Sequence, residues 1–450
     1  MKQTHSYGEK VGQFVAVLLP IFITQLSLIA TGFCNTVMAG HISEMDLAGV
    51  AVGVNIFMPF FGATLGIISG LTPIIAQYYG AGKSQAIRYT VQQGFYWALA
   101  LAVLFLAIGY AGMPVLLPYL DLEPHVAYIT SHYLMAVSCG IVPIFLAAVV
   151  RNFIDAHGYT RLTMGITMCT VPVNIALNYI FMYGKFGMPA FGGIGAGIGS
   201  ALAFTLNLVL NVTVALTLHP FRDYHIFRNL PQPRFRAWRR HLGVGVPIGA
   251  TMFTEQSIFG AVGLFMTTYG TAVVAAHQAA MNFTTIVYMI PLSISMALTI
   301  LVGYEVGARR MRDARQYIRL GRVLSLVFVS AIALPLTRHQ AWLASLYASA
   351  PELQSLICTF LVYVIFMQMS DCINAPLQGA LRGYKDVRVT FWLAVVSNWV
   401  VGLPLGWVMA QYGGMGPYGY WIGLIGGILV GGIFLMFRLR RVEKKFDAIV

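Results

Sequence analysis

Charge is what this chain has least of. Lys, Arg, Asp and Glu make up 10% of its 450 residues, against roughly 25% in an ordinary soluble domain. So few charges cannot cover a globule of this size in water-facing side chains. A soluble enzyme or nucleic-acid-binding domain is therefore excluded, in spite of a net charge of +13. Cysteine is scarce too. Cys34, Cys139, Cys169, Cys358 and Cys372 are odd in number, form no C-x-x-C and lie in apolar runs. They read as small packing residues rather than a disulfide framework or a metal site. There is no G-x-x-x-x-G-K-[ST], so nothing points to ATP coupling. The stretch GGIGAGIGS at 192–200 mimics a dinucleotide fingerprint. It opens an apolar run with no strand before it, and reads as close helix packing. No metal-ligand spacing and no Ser–His–Asp arrangement is present, so neither an enzyme nor a cofactor is expected.

Apolar residues fill the space that charge leaves: 58% of the chain is hydrophobic, with 46 glycines. A helix crosses ~30 Å of hydrocarbon with ~20 apolar residues. Twelve such runs follow one another, at 14–38, 49–79, 91–117, 125–150, 161–183, 193–218, 242–268, 272–303, 315–336, 353–380, 388–411 and 415–437. They are too long and too continuous for β-barrel strands. The first is too long for a signal peptide and lacks an A-x-A-like end. The expected fold class is an all-α polytopic membrane protein of twelve transmembrane helices in a lipid bilayer. Of the 28 Lys and Arg, 26 fall at the N-terminus, in every second connection or in the C-terminal tail. The other connections hold only Lys185 and Arg338, with Glu44, Asp46, Asp121, Glu123 and Glu352. The positive-inside rule then places both termini in the cytoplasm. Basic loops facing anionic head groups account for the net charge without nucleic acid.

The chain repeats itself. Adding 227 to the residue number carries Pro20 onto Pro247, Ala48 onto Ala275, Asn55 onto Asn282, Leu71-Thr72 onto Leu298-Thr299 and Gly80-Ala81 onto Gly307-Ala308. A looser match carries Gly158-Tyr159 onto Gly383-Tyr384. Each half holds six spans, an even number, so the repeat is parallel. The expected organisation is a six-helix lobe at 1–218, a cytoplasmic linker at 219–241 and a second lobe at 242–450. Two such bundles suit alternating access around a midplane site. Pro20, inside the first span, lacks an N–H donor and is a candidate hinge.

Only two acids lie well inside a span: Glu255 in MFTEQSIF and Asp371 in QMSDCINAP. A central carboxylate costs at least ~2.5 kcal/mol and is usually functional. No Lys or Arg is expected at that depth, so the expected partner is a transported cation or proton. The first half has amides instead: Asn35 in span 1, and Asn174 and Asn178 on one face of span 5. Interhelical hydrogen bonding is the plain alternative for each. Asn55, Phe57 and Met58 of NIFMPF at 55–60, with Asn282, Phe283 and Tyr288 of the repeat-related segment NFTTIVYM at 282–289, are candidates for a substrate cleft. Aromatic and thioether groups suit flat cationic compounds, and helix packing is the alternative at each position. His277 is expected to pair with Gln278 or the other lobe, and Glu305 with Arg309.

These residues resemble the multidrug and toxic compound extrusion (MATE) family, in its bacterial NorM-like branch, over essentially the whole chain. The local matches are NTVMAG at 35–40, TEQSIF at 254–259, VVAAHQAAMNF at 273–283, MIPLSI at 289–294 and QGALRGYKD at 378–386. The resemblance implies two six-helix bundles forming a V-shaped cleft. It implies a monomer in the bacterial inner membrane that exports cationic, amphipathic, drug-like compounds against inward movement of H⁺, or secondarily Na⁺. Glu255 and Asp371 match an acidic pair implicated in cation coupling. Met367 stands where such members often carry an aromatic hydroxyl, which weakens a Na⁺ site of that design. Asn174 and Asn178 match polar residues that approach span 1. At position 35 the family usually has aspartate, a candidate proton carrier; this chain has asparagine. Either coupling has moved to Glu255 and Asp371, or the asparagine is an engineered replacement that holds a protonated-like state. On both readings position 35 belongs to the first-lobe cation site. A flippase for a lipid-linked precursor, from the same superfamily, is the alternative. Extra spans or a basic central cavity would mark it, and neither is evident. A channel or intramembrane enzyme is a third reading with no supporting motif.

Overall fold

A computed structural model describes residues 1–448, and every regular element among them is helical. All twelve expected spans form helices. Several run past the expected limits because polar residues extend them beyond the apolar stretch. The first is α1 (Tyr7–Gly40). The second is α2 (Glu44–Ser69) and α3 (Leu71–Gly80), parted at Gly70. A Cβ at Gly70 would lie 2.5 Å from the Cα of Gly245, so two backbones touch at that break. Its repeat counterpart is Ala297, and there the helix α10 (Thr271–Gly307) continues unbroken.

The remaining helices of the first half are α4 (Ser84–Leu116), α5 (Pro124–Ser138), α6 (Ile141–Ala156), α7 (Thr160–Tyr183) and α8 (Ile194–Thr217). Helices α5 and α6 form one span bent by 45°. The bend sits at Gly140, where a Cβ would come within 2.8 Å of Ala201 on α8. The glycines of GGIGAGIGS do what the sequence suggested. Cβ atoms at Gly195, Gly197 and Gly199 would each collide with α7 or α5.

The second half holds α9 (Phe235–Met266), α10, α11 (Met311–Tyr347) and α12 (Pro351–Gly383). Then come α13 (Val387–Val395) and α14 (Leu403–Gln411), joined by a π-helical segment at Val396–Gly402, and α15 (Pro417–Asp447). Among the described residues ten helical stretches are long and apolar enough to cross a membrane, and the α5–α6 pair makes eleven. Helix α9 is long enough but not apolar enough, because TMFTEQS interrupts it around Glu255.

The chain divides into two compact units, Leu19–Gly249 and Met1–Leu18 with Ala250–Val450. It passes between them inside α1 and inside α9, each time within three residues of a repeat-related proline, Pro20 or Pro247. Residues 219–234 dock on the first of these units. Tyr224 meets His157 Nε2 at 2.8 Å, Arg88 and Gln92 donate to the Arg228 carbonyl, and Gln93 donates to the Gln232 carbonyl. In the other unit the start of α1 is tied down at the basic end of the spans. Lys10, 3% exposed, pairs with Asp313 at 2.9 Å, and Thr4 and Gln13 reach the Tyr317 hydroxyl. Glu305 pairs with Arg310 at 2.6 Å, not with Arg309, whose φ of +59° turns the chain at the helix end.

Candidate functional site

Each unit contains a polar cluster that includes residues singled out in the sequence. In the first it is an amide triad. Asn178 of α7 is fully buried, and its Nδ2 donates to Asn35 Oδ1 of α1 at 2.7 Å and to Asn174 Oδ1 at 2.8 Å. The i,i+4 spacing brings Asn174 and Asn178 together, as expected. Asn178 Oδ1 is buried with no hydrogen-bond partner. The amide fits only because its neighbour on α8 is Gly199, where a Cβ would lie 2.0 Å from that oxygen. Tyr183, one turn further along α7, donates to the Met38 carbonyl at 2.9 Å and fixes the end of α1. Asparagine has two donors and an acceptor but no proton to release, so the triad as it stands can orient α1 and cannot titrate.

In the second unit the cluster is charged. Asp371, Asn374, Gln378 and Arg382 follow one another on α12 at spacings of three, four and four residues, which sets them on one face. Gln378 Nε2 donates to Glu255 Oε1 of α9 at 2.6 Å and to Asn374 Oδ1 at 2.8 Å. Arg382 reaches back one turn to Gln378 Oε1 at 3.3 Å. Asn374 in turn donates to the Ile428 carbonyl, against Gly431, where a Cβ would crowd its amide at 3.1 Å. Trp399 in the π-helical segment donates to the Thr254 carbonyl at 3.3 Å, next to Glu255. Interior π turns often mark functional positions, because they re-aim side chains out of helical register.

Asp371 is 92% buried and accepts no hydrogen bond among the described residues. Glu255 and Tyr288 lie within electrostatic range of it. Met367 is buried and brings no oxygen, so the aromatic hydroxyl near the acid pair comes from Tyr288 on α10 instead.

The expectation that no arginine accompanies the acids needs correcting. Arg382 is not in a connection. It occupies the last turn of α12, 7% exposed, and its side chain folds back into the cluster. Gln378, Asn374 and Arg382 were missed because each is ordinary alone. Their spacing from Asp371 was the signal.

The substrate-cleft candidates separate. Asn55 and Met58 are exposed, as is Asn282, which accepts from Gln278 at 3.4 Å. Phe57 is 5% exposed and stacks on Phe61 at 4.8 Å, with Phe105 edge-on, so it belongs to the core of its unit. Phe283 is half-buried beside Val287 and Gln368. The partner of His277 is Trp421 and not Gln278. The indole of Trp421 donates to His277 Nδ1 at 3.1 Å. Pro20 is buried in an unbroken helix, with its carbonyl accepting from the Thr24 hydroxyl at 2.9 Å. Cys139 and Cys169 are exposed rather than packed, and only Cys372 is buried. Among the described residues no group of His, Cys, Asp or Glu is arranged to hold a metal ion.

Comparison with known proteins gives one family. The MatE family model matches twice, over residues 20–180 and 247–408; the two matches begin 227 residues apart, at the paired prolines. Proteins described as probable multidrug resistance protein NorM are similar along their full length. The one from Bacillus subtilis is 45% identical over 447 residues, 99% of each chain. The one from Geobacillus kaustophilus is 45% identical over 448 residues, all of this chain and 98% of that one. Among solved structures, the Vibrio cholerae MATE transporter VcmN in its bent form superposes with a TM-score of 0.86 at 19% identity, over 98% of this chain and 99% of that one. The eukaryotic MATE transporter AtDTX14 does so with a TM-score of 0.86 at 16% identity, over 98% and 99%. These two share the two-lobe, twelve-helix fold. Matched in both halves by the family model and along its length by these relatives, the chain belongs to the MATE family of multidrug efflux transporters, on its NorM-like branch.

Proposed function

We propose that this chain exports cationic, amphipathic compounds by alternating access, in exchange for one monovalent cation, H⁺ in the first place and Na⁺ in the second. The charge count of the second-unit cluster supports this. Two carboxylates, half-buried Glu255 and buried Asp371, share the cluster with one buried guanidinium, that of Arg382. One negative charge is left without a counter-ion, and inside a membrane such a charge is costly and rarely idle. Gln378 links Glu255 to Arg382, so Glu255 is the partnered acid and Asp371 the one whose charge is left for a cation. The carrying observation is that Asp371 is buried with no hydrogen-bond donor on it among the described residues. Tyr288 supplies an oxygen for either ion.

The amide triad acts as the anchor that ties α1 to α7, and the cation site at position 35 is silent in protonation. Substrate contacts fall to the exposed Asn55, Met58 and Asn282. Both termini face the cytoplasm of a bacterial inner membrane, in keeping with the basic connections.

The test is drug efflux by purified protein in liposomes, first under a pH gradient and then under a Na⁺ gradient. Asp371→Asn and Glu255→Gln are each expected to abolish gradient-driven efflux while leaving drug binding measurable. Full gradient-driven efflux by both variants would place coupling elsewhere. Response to one gradient and not the other identifies the ion.

A further inference from the structure

Where α8 leaves the apolar layer at its basic end, the docked segment 219–228 folds over the helix terminus and frames an open cavity of about 270 Å³. Its apolar wall is Ala215, Leu216, Ile226 and Phe227, and its polar wall is Arg222, Asp223, His225 and Arg228. The volume is just under the ~300 Å³ at which small-molecule sites begin, which suits a small polar head group and not a drug. The single acid in the wall is occupied: Asp223 Oδ2 meets His219 Nδ1 at 2.6 Å, and its other oxygen lies 3.5 Å from Arg222 Nε. Arg228 has no acid partner among the described residues. Its backbone is held rigidly, since the Arg228 carbonyl accepts from Arg88 at 2.5 Å and from Gln92 at 2.9 Å. The guanidinium is therefore presented from a fixed point beside a second arginine.

A separate observation says what lies against this cavity. On α8 the residues Leu202, Val209 and Leu216 are all exposed, and their spacing of seven sets them on one face. That apolar stripe runs along the span and ends on Leu216, which is itself the cavity wall. An acyl chain lying on the stripe delivers its head group to Arg222 and Arg228.

We infer that this cavity binds the phosphate head group of an anionic phospholipid, with the acyl chains on the Leu202–Leu216 face of α8. The linker joining the two halves of the repeat thereby becomes a lipid-contacting element. Basic pockets at the charged end of membrane spans have the chemistry for this.

Native mass spectrometry of the full chain, titrated with phosphatidylglycerol, tests it. Each arginine near an anionic lipid surface contributes roughly fivefold in affinity. Arg222→Gln combined with Arg228→Gln is thus expected to weaken the tightest lipid site about twenty-five-fold. The tether survives, because it uses the Arg228 carbonyl. Arg236→Gln combined with Arg239→Gln removes the same charge from the linker outside the cavity and is expected to change that site less than twofold. Leu216→Asp keeps both arginines and is expected to weaken the site at least tenfold. Equal losses in the two arginine pairs would reduce the effect to diffuse attraction and overturn the site. So would an unaffected Leu216→Asp, or phosphatidylcholine binding as tightly. Displacement of the lipid by millimolar inorganic phosphate would show a free-anion site and overturn the lipid assignment.

Discussion

Gly199→Ala is the smallest change that tests whether the amide triad is a designed contact. The new Cβ would lie 2.0 Å from Asn178 Oδ1, 3.0 Å from its Cγ and 2.8 Å from its backbone nitrogen. The Asn178 side chain is fully buried and has nowhere to go except out of the triad. Its hydrogen bonds to Asn35 and Asn174 are then lost, at about 0.5–1.5 kcal/mol each. The remaining backbone clash adds the overpacking cost of about 1–3 kcal/mol. A double-mutant cycle separates the two. Asn178→Ala removes the side chain that Gly199 accommodates, so the combined variant should cost less than the sum of the single ones by about 1–3 kcal/mol. Thermal unfolding in detergent reads stability, and efflux from liposomes reads the consequence for α1. If Gly199→Ala matches the parent in both, or if the two single costs simply add, Asn178 is not held against α8 as described and the anchor role falls.

Asn35→Asp should keep the Asn178 bond, because that bond uses only the Oδ1 of residue 35, while adding a proton carrier at this depth. Efflux driven by a pH gradient is expected to rise, and equal efflux from both proteins would leave Asn35 a structural amide. Pro20→Ala restores a donor for the Ala16 carbonyl and stiffens α1 by up to about 3 kcal/mol. Slower efflux at normal expression is expected, and unchanged transport would remove the hinge. His157, just beyond the end of α6, is pushed down to about 4 by burial. It donates from Nδ1 to the Phe153 carbonyl and accepts from the Tyr224 hydroxyl in its neutral form, with the Tyr79 ring 4.4 Å away. Between its ordinary value of 6.5 and about 4 the undocked state binds a proton that the docked state does not. Docking of 219–228 is therefore strongest above pH 6.5 and loses up to about 3 kcal/mol on acidification to pH 4. Trypsin cleavage after Arg222 and Arg228 should accelerate across that window, and an unchanged rate would count against the histidine.

What could be read from the sequence, and what could not, follows from the range of each signal. The twelve spans were legible because lipid imposes a long apolar run on each helix regardless of its neighbours. Helix α9 shows the limit. It falls short as an apolar helix because Glu255 and its polar neighbours interrupt the run that marks 242–268 as a span, and the repeat supplies a second, independent sign of that span. Glu255 and Asp371 stood out because a lone acid in such a run has no structural excuse. Gln378 and Arg382 did not, since an amide and an arginine near a helix end are common and acquire meaning only when folding brings Gln378 within 2.6 Å of Glu255. Phe57 stayed open between cleft and core for the opposite reason. An aromatic side chain in a span suits a ligand and a core equally, and only its stacking on Phe61 settles which. The same reasoning governs position 35. The family resemblance implied that an acidic group was missing there. The structure adds that the oxygen at this position already serves α7, so an acid would enter a contact that is built to receive it. On the proposed reading the two halves are thus unequal: the first keeps the hydrogen bonds without a titratable proton, and the second keeps the charge.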